Sequence, residues 1–134
     1  MPIRYQSDTI TAAEFADILQ RSGLAERRPD DLCRLQRMLD GASLVITARD
    51  EASGTILGIA RALTDGAYAC YLSDLAVDRA AQGQGIGTKL IALTREMAGE
   101  ETMCLLLSAP ASMDFYRKIG MPRIDNGFLF PRQR

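Results

Sequence analysis

The sequence predicts an α+β protein: an α/β sandwich with a mixed, mainly antiparallel sheet of six to seven strands, one parallel pair, and about four flanking helices. Three observations lead there. Two helical patterns precede the first long apolar strands, and three strand-length runs then succeed one another across short polar, glycine-bearing turns. Cys70 to Met97 next reads as strand, glycine-dense turn and helix, and the apolar run Met103–Ser108 follows it. That order makes the last pair parallel through a strand-helix-strand crossover. At 134 residues, a single domain spanning 1–134 is expected. With 47% hydrophobic residues the chain can bury a real core.

Ile3 to Gln6 is a short first strand. The first helix is signalled by Thr11 as cap, Glu14 completing a capping box, and Ile10 with Phe15 as hydrophobic staple. Phe15, Ile18 and Leu19 form its apolar face, and Gly23 closes it in the left-handed conformation. A second helix starts near Pro29-Asp30-Asp31, with Leu32, Leu35, Met38 and Leu39 facing inward and Gly41 as its stop. Leu44–Ala48 and Ile56–Leu63 read as a hairpin joined by Asp50 to Gly54. Asp65-Gly66 turns the chain into the strand Cys70–Val77.

The central helix then places Ile86, Leu90, Leu93 and Met97 on one face. Met103–Ser108 is nearly continuously apolar, the pattern of a strand covered on both faces. Pro110 opens and Gly120 closes a final helix of about ten residues. Asn126-Gly127 suits a tight turn between two short terminal strands.

Composition excludes much chemistry. The chain contains no histidine, which removes Ser-His-Asp and Cys-His nucleophilic arrangements and most zinc sites, so no metal is expected. Cys33, Cys70 and Cys104 lack a C-x-x-C pair and read as small buried apolar residues of a reducing compartment. Lys and Arg total 16 against 17 Asp and Glu with no basic block, so nucleic acid is not expected as a partner. No apolar run reaches the roughly 18 residues of a membrane span, and Met1-Pro2-Ile3-Arg4 lacks a signal-peptide design. A cytoplasmic protein without membrane attachment is the expectation.

The glycine turn Gln82-Gly83-Gln84-Gly85-Ile86-Gly87 is an anion-site design. Glycine lets a ligand approach bare amides, and the first helical turn leaves its N–H groups without intrahelical partners beside the positive end of the macrodipole. G-x-G-x-x-G fails in both registers, because Thr88 and Leu90 fall where the third glycine should be. The Walker pattern fails as well, since Lys89 is followed by Leu90. What fits is Q/R-x-x-G-x-G/A, filled by Gln82, Gly85 and Gly87. With the flanking Leu75-Ala76-Val77 and the later Phe115-Tyr116-Arg117-Lys118-Ile119-Gly120, the chain resembles the GNAT superfamily of acetyl-CoA-dependent N-acetyltransferases. Residues 70 to 121 carry the specific motifs, and the order of elements is also the GNAT order.

The resemblance implies that acetyl-CoA is the cosubstrate, with its pyrophosphate on the amides of Gly83, Gln84, Gly85, Ile86, Gly87 and Thr88 and with Gln82 shaping the loop. It implies a splayed central parallel pair, between whose strands the pantetheine inserts, meeting backbone groups of Leu75 and Val77. The Leu75 amide is then the oxyanion donor, and one such donor in a dry site is worth about 3 kcal/mol. Tyr116 becomes the proton donor to the departing thiolate; a phenol of pKa near 10 is neutral at pH 7. The alternative for Tyr116 is packing beneath the helix with Met113 and Ile119.

Amine deprotonation has no obvious agent. Tyr71 and Ser73 stand where some relatives place a glutamate, and Asp74 is the only acid of the strand. Strict alternation sets Asp74 opposite Tyr71, Ser73 and Leu75 unless a bulge re-aims it, so a substrate-side role, a structural role, and a water held by Tyr71 and Ser73 all stand open. Ala109 replaces an asparagine that contacts CoA in many relatives. Arg27 and Arg28 could hold a substrate carboxylate or be solvated, whereas Asp65 and Asp74 could attract a cationic amine; these predict opposite substrates. The expected acceptor is the primary amine of a small or amino-acid-like molecule. A non-catalytic acyl-CoA sensor and a nucleotide-phosphate enzyme sharing only the loop are the rival readings. Oligomerisation is common in the family, so Phe128-Leu129-Phe130 serves a homodimer interface or the core.

Overall fold

The computed structural model describes residues 2–134. One five-stranded sheet runs in the order β1 (Ile3–Ser7), β2 (Leu44–Asp50), β3 (Ile56–Thr64), β4 (Ala69–Val77) and β5 (Met103–Leu105). The first four strands pair antiparallel, and β4 pairs with β5 in parallel. Helices α1 (Ala12–Ser22) and α2 (Leu32–Asp40) cover one face, while α3 (Ile86–Ala98) and α4 (Met113–Lys118) cover the other. This is the α+β sandwich that the order of apolar runs predicts.

Local chemistry explains α1 directly. The Thr11 hydroxyl accepts from the Glu14 amide at 3.1 Å, the Glu14 carboxylate accepts from the Thr11 amide at 3.0 Å, and Gly23 ends the helix at φ +85°. Ile10, Phe15, Ile18 and Leu19 are buried together with Leu35, Ile59 and Ala76, forming the core beneath α1 and α2. On the opposite face Ile86, Leu90 and Ile91 pack on Ile46, Ala60, Ala62 and Leu72. Gly58 lets α3 approach, because a Cβ there would lie 2.8 Å from the Ile86 methyl and 3.1 Å from Leu90. β3 therefore alternates small residues toward α3 with Ile59 and Arg61 toward the other layer.

Several expectations need correction. The sheet has five strands where six to seven were expected, because residues 121–134 form no regular structure. β5 stops at Leu105 and offers no edge long enough to template them, and Phe128 and Phe130 stay fully exposed. Met103 at 51% and Leu107 at 61% exposure show that the Met103–Ser108 run is not covered on both faces. The last helix is a 3₁₀ turn, Pro110–Ser112, leading into the six-residue α4. α2 begins at Leu32, with Asp31 outside it as the cap accepting from the Cys33 amide at 3.0 Å; Leu32 consequently points outward, 51% exposed. Thr94 and Ala98 complete the buried face of α3, leaving Met97 on its flank. Cys33 is exposed, whereas Cys70 is buried as expected. No helix among the described residues is long and apolar enough to cross a membrane.

Candidate active site

The pairing of β3 with β4 contains the feature that builds the site. Arg61 opposes Asp74 and Ala62 opposes Leu72, so Ser73 is an extra residue without a partner, a β-bulge. The bulge resets the alternation of side chains. Cys70 and Leu72 before it share a face with Leu75 and Val77 after it, toward α3 and α4. Asp74 is thereby turned to the α1/α2 side, where it is fully buried.

β4 and β5 pair only from Ala69–Met103 to Tyr71–Leu105. Beyond that point the strands part, and the edge of β4 from Leu72 to Val77 that faces away from β3 has no strand partner. A cleft of ≈ 370 Å³ opens beside it, lined by Tyr71, Ser73 and Leu75 on one wall and by Leu106, Ala109 and Tyr116 on the other. A sheet edge enclosed in a cleft presents backbone donors and acceptors that only a ligand or water can satisfy.

Tyr116 reaches the cleft because α4 is anchored one residue earlier. The Phe115 ring sits over Gly87, where a Cβ would meet its Cζ at 2.9 Å, and the two aromatic rings meet edge to face at 5.1 Å and 75°. Among the described residues the Tyr116 hydroxyl has no hydrogen-bond partner, and burial pushes its pKa above the ordinary value of 10.0. Gly87 thus has a packing role that its place in the glycine motif does not announce.

At the α3 N-terminus Gly83 (φ +85°) and Gly85 (φ +79°) occupy the left-handed region with open space around them. The Gln82 side chain leans back toward the Val77 carbonyl at 3.5 Å, tying the loop to the end of β4. Among the described residues the amides of Gly83 through Thr88 donate to no protein acceptor, and the first bond of the helix is Lys89 to the Gly85 carbonyl at 3.0 Å. Six neighbouring amides without partners, with open space about Gly83 and Gly85, fit an anion such as a pyrophosphate. The loop and Val77 lie outside the lining of the cleft, which contains Leu75, Ser73 and Tyr116.

Asp74 stands behind the cleft wall as the hub of a charged network. Its two carboxylate oxygens accept from Arg28 Nε and Arg61 Nε respectively. Arg28 also donates to the Ser73 carbonyl at 2.8 Å, and Arg61 to Ser73 Oγ at 3.0 Å and the Met38 carbonyl at 3.2 Å. The network fixes the bulge residue from both sides. Asp65 lies elsewhere, in the β3–β4 turn, where the amides of Ala67, Ala69 and Tyr68 hold its pKa down to about 2.

Sequence reading missed Arg61, Arg34 and Arg132, all of which line the cleft. For Arg61 a signal existed: a single charge inside the apolar run Ile56–Leu63 demands a buried partner. Arg34 on α2 and Arg132 in the irregular C-terminal stretch carry no comparable local signal.

With this geometry in place, comparison with known proteins is informative. The sequence profile of the acetyltransferase (GNAT) domain matches residues 41–120. Serotonin N-acetyltransferase 2, chloroplastic, of Oryza sativa subsp. japonica is 28% identical over 140 residues, covering 98% of this chain and 68% of that protein. A crystal structure from Deinococcus radiodurans R1, assigned provisionally to the acetyltransferases, superposes with a TM-score of 0.74 at 26% identity, covering 96% of this chain and 87% of its own. Glucosamine-6-phosphate N-acetyltransferase from Arabidopsis thaliana shares the fold, with a TM-score of 0.69 at 14% identity over 98% of this chain and 99% of that one. The profile spans the parting strands, the glycine loop and Tyr116 alike, and the chain belongs to the GNAT family of acetyltransferases.

Proposed function

We propose that this acetyltransferase transfers the acetyl group of acetyl-CoA directly to a primary amine of a small molecule. The observation that carries the reading is the unpartnered edge of β4 beyond Tyr71, enclosed in a cleft that Tyr116 also lines. Acetyl-CoA supplies the acetyl group as a thioester. Six unpartnered amides, Gly83 to Thr88, are available for its pyrophosphate. The open β4 edge offers Leu75 and Val77 to its amide-bearing arm. In this arrangement the Leu75 N–H stabilises the negative charge that develops on the thioester oxygen as the amine attacks.

Tyr116 then donates its phenolic proton to the departing sulfur. Burial raises its pKa, so the proton is present throughout the physiological range. Asp74 is a poor candidate for the base, since both its oxygens are engaged by guanidinium groups and it has no exposed surface. Ser73 carries no negative charge, and its hydroxyl accepts from Arg61, so its part is to shape the cleft or to hold a water. We take the amine to enter already neutral or to lose its proton to solvent.

The absence of a free carboxylate from the cleft lining favours one second reading, an acyl-CoA sensor without turnover. The two are separated by calorimetric titration with acetyl-CoA followed by an assay of CoA release across an amine panel. Saturable binding with turnover is expected. Binding without turnover for any amine would select the sensor, and absence of binding by folded protein would refute both. Tyr116→Phe is expected to lower kcat severalfold or more with acetyl-CoA affinity nearly intact; unchanged kcat would remove Tyr116 from the chemistry.

A further inference from the structure

The substrate side of the cleft is lined by five arginines, Arg27, Arg28, Arg34, Arg61 and Arg132, and by no acidic residue. They come from four places in the chain: the 3₁₀ turn after α1 and the segment following it, α2, β3, and the C-terminal stretch. Asp74, the one acidic side chain that touches any of them among the described residues, lies behind the wall and offsets a single charge of the Arg28–Arg61 pair. The Arg27 and Arg132 side chains form no salt bridge or side-chain hydrogen bond among the described residues, and Arg34 bonds only a C-terminal oxygen of Arg134, at 3.1 Å. The sequence left two opposite acceptors open. The structure takes Asp65 away to its own turn and surrounds Asp74 with cations, so neither can attract a cationic amine.

Resting on the acetyltransferase reading above, we propose that the acceptor is an amine carrying an oxyanion, a carboxylate or phosphate, which the free guanidinium groups of Arg27 and Arg132 bind. Guanidinium forks match the geometry of both oxyanions and pair with them in charge. The same field opposes a second positive charge, so it disfavours polyamines and holds the entering amine toward its neutral form. That effect supplies part of what a general base would otherwise do. Serotonin, named for the rice relative, carries an amine and no oxyanion, and its acceptance does not transfer to this chain.

The test uses matched amines with the full-length protein and acetyl-CoA: γ-aminobutyrate against 4-aminobutanamide, and O-phosphoethanolamine against ethanolamine. At least tenfold higher kcat/KM for the charged member of one pair is expected, and the pair that shows it tells carboxylate from phosphate. Arg27→Glu and Arg132→Glu should each reduce that ratio several-fold; both residues are exposed, so the fold tolerates the change. Equal or better turnover of the uncharged members, with no response to these substitutions, would overturn the proposal while leaving acetyl transfer intact. If no amine turns over, titration with succinate and inorganic phosphate followed by arginine Nε–H resonances decides. Saturable shifts at Arg27 and Arg132 support the oxyanion site independently of catalysis, and their absence refutes it.

Discussion

Asp74→Asn separates a structural hub from a catalytic base. The carboxylate is fully buried, and its partners are largely so, with side-chain exposures of 21% for Arg28 and 7% for Arg61. Asparagine keeps the shape and one acceptor oxygen but leaves two guanidinium groups facing each other without a counter-charge. Breaking a buried pair in this way costs about 3–5 kcal/mol. Arg28 retains some contact with water, which places the expectation near the lower end, about 3 kcal/mol. Native domains are stable by only about 5–15 kcal/mol, so the loss is a large share of the total.

Urea denaturation followed by circular dichroism measures it. With a slope of about 1.5–2 kcal/mol/M the midpoint should fall by about 1.5–2 M. Adding Arg61→Met to Asp74→Asn removes one stranded charge and should recover at least about 1 kcal/mol as a coupling energy. A loss below about 1 kcal/mol would refute the buried-network argument. Unchanged stability with kcat abolished would return Asp74 to the role of base.

Three further predictions probe the loop, the anchor and Tyr116. Gly85→Ala meets no atom within 4 Å but must hold φ +79°; it should cost about 1 kcal/mol in stability and weaken acetyl-CoA binding in calorimetry by tenfold or more, through crowding of the amides. Gly87→Ala gains about 1 kcal/mol of helix propensity yet drives a methyl to 2.9 Å from Phe115, so a net thermal destabilisation is expected along with impaired kcat as Tyr116 is displaced; a stabilised, fully active variant would show that α4 does not depend on this contact. Because burial raises the Tyr116 pKa, its proton is retained through the whole range below its folded value, so the alkaline decline of kcat assigned to it must lie above pH ~10, and the acid limb should move with the pKa of the amine used. An alkaline decline near pH ~8 shared by all amines and lost in Tyr116→Phe would contradict that shift.

Much of the fold was legible because its signals are local. Thr11 and Glu14 cap α1 through neighbours three residues apart, and Gly23 closes it by its own backbone freedom. The glycine loop was readable for the same reason, since Gly83 and Gly85 declare a left-handed backbone that few other residues tolerate. What local signals could not reveal was whether an apolar segment finds a partner. Phe128-Leu129-Phe130 has the composition of a strand, but pairing depends on an edge that β5 does not extend far enough to provide. Likewise the helical period that put Met97 inward was correct in spacing and wrong in phase by a fraction of a turn, because Thr94 bonds the Leu90 carbonyl at 2.8 Å and so satisfies its hydroxyl inside the core.

The residue that decided most was the least visible. Ser73 carries no pattern of its own, yet as the bulged residue it turns Leu75 and Val77 toward α3 and α4 and Asp74 toward the layer of α1 and α2. The bulge is held where Arg28 takes the Ser73 carbonyl and Arg61 its hydroxyl, both organised by Asp74. Restoring strict alternation would therefore require breaking the charged network as well as shifting the strand. In that sense Arg61, whose chain neighbour Ala60 is the sheet partner of Leu75, bears on the direction of the Leu75 backbone. This coupling yields a final expectation: Arg61→Ala should depress kcat even with saturating substrates, because the Leu75 amide, the proposed oxyanion donor, loses its fixed aim, and adding guanidinium should restore part of the rate by refilling the space beside Asp74. A variant that loses only acceptor affinity, with kcat intact, would confine Arg61 to substrate binding and dissolve the link between network and bulge.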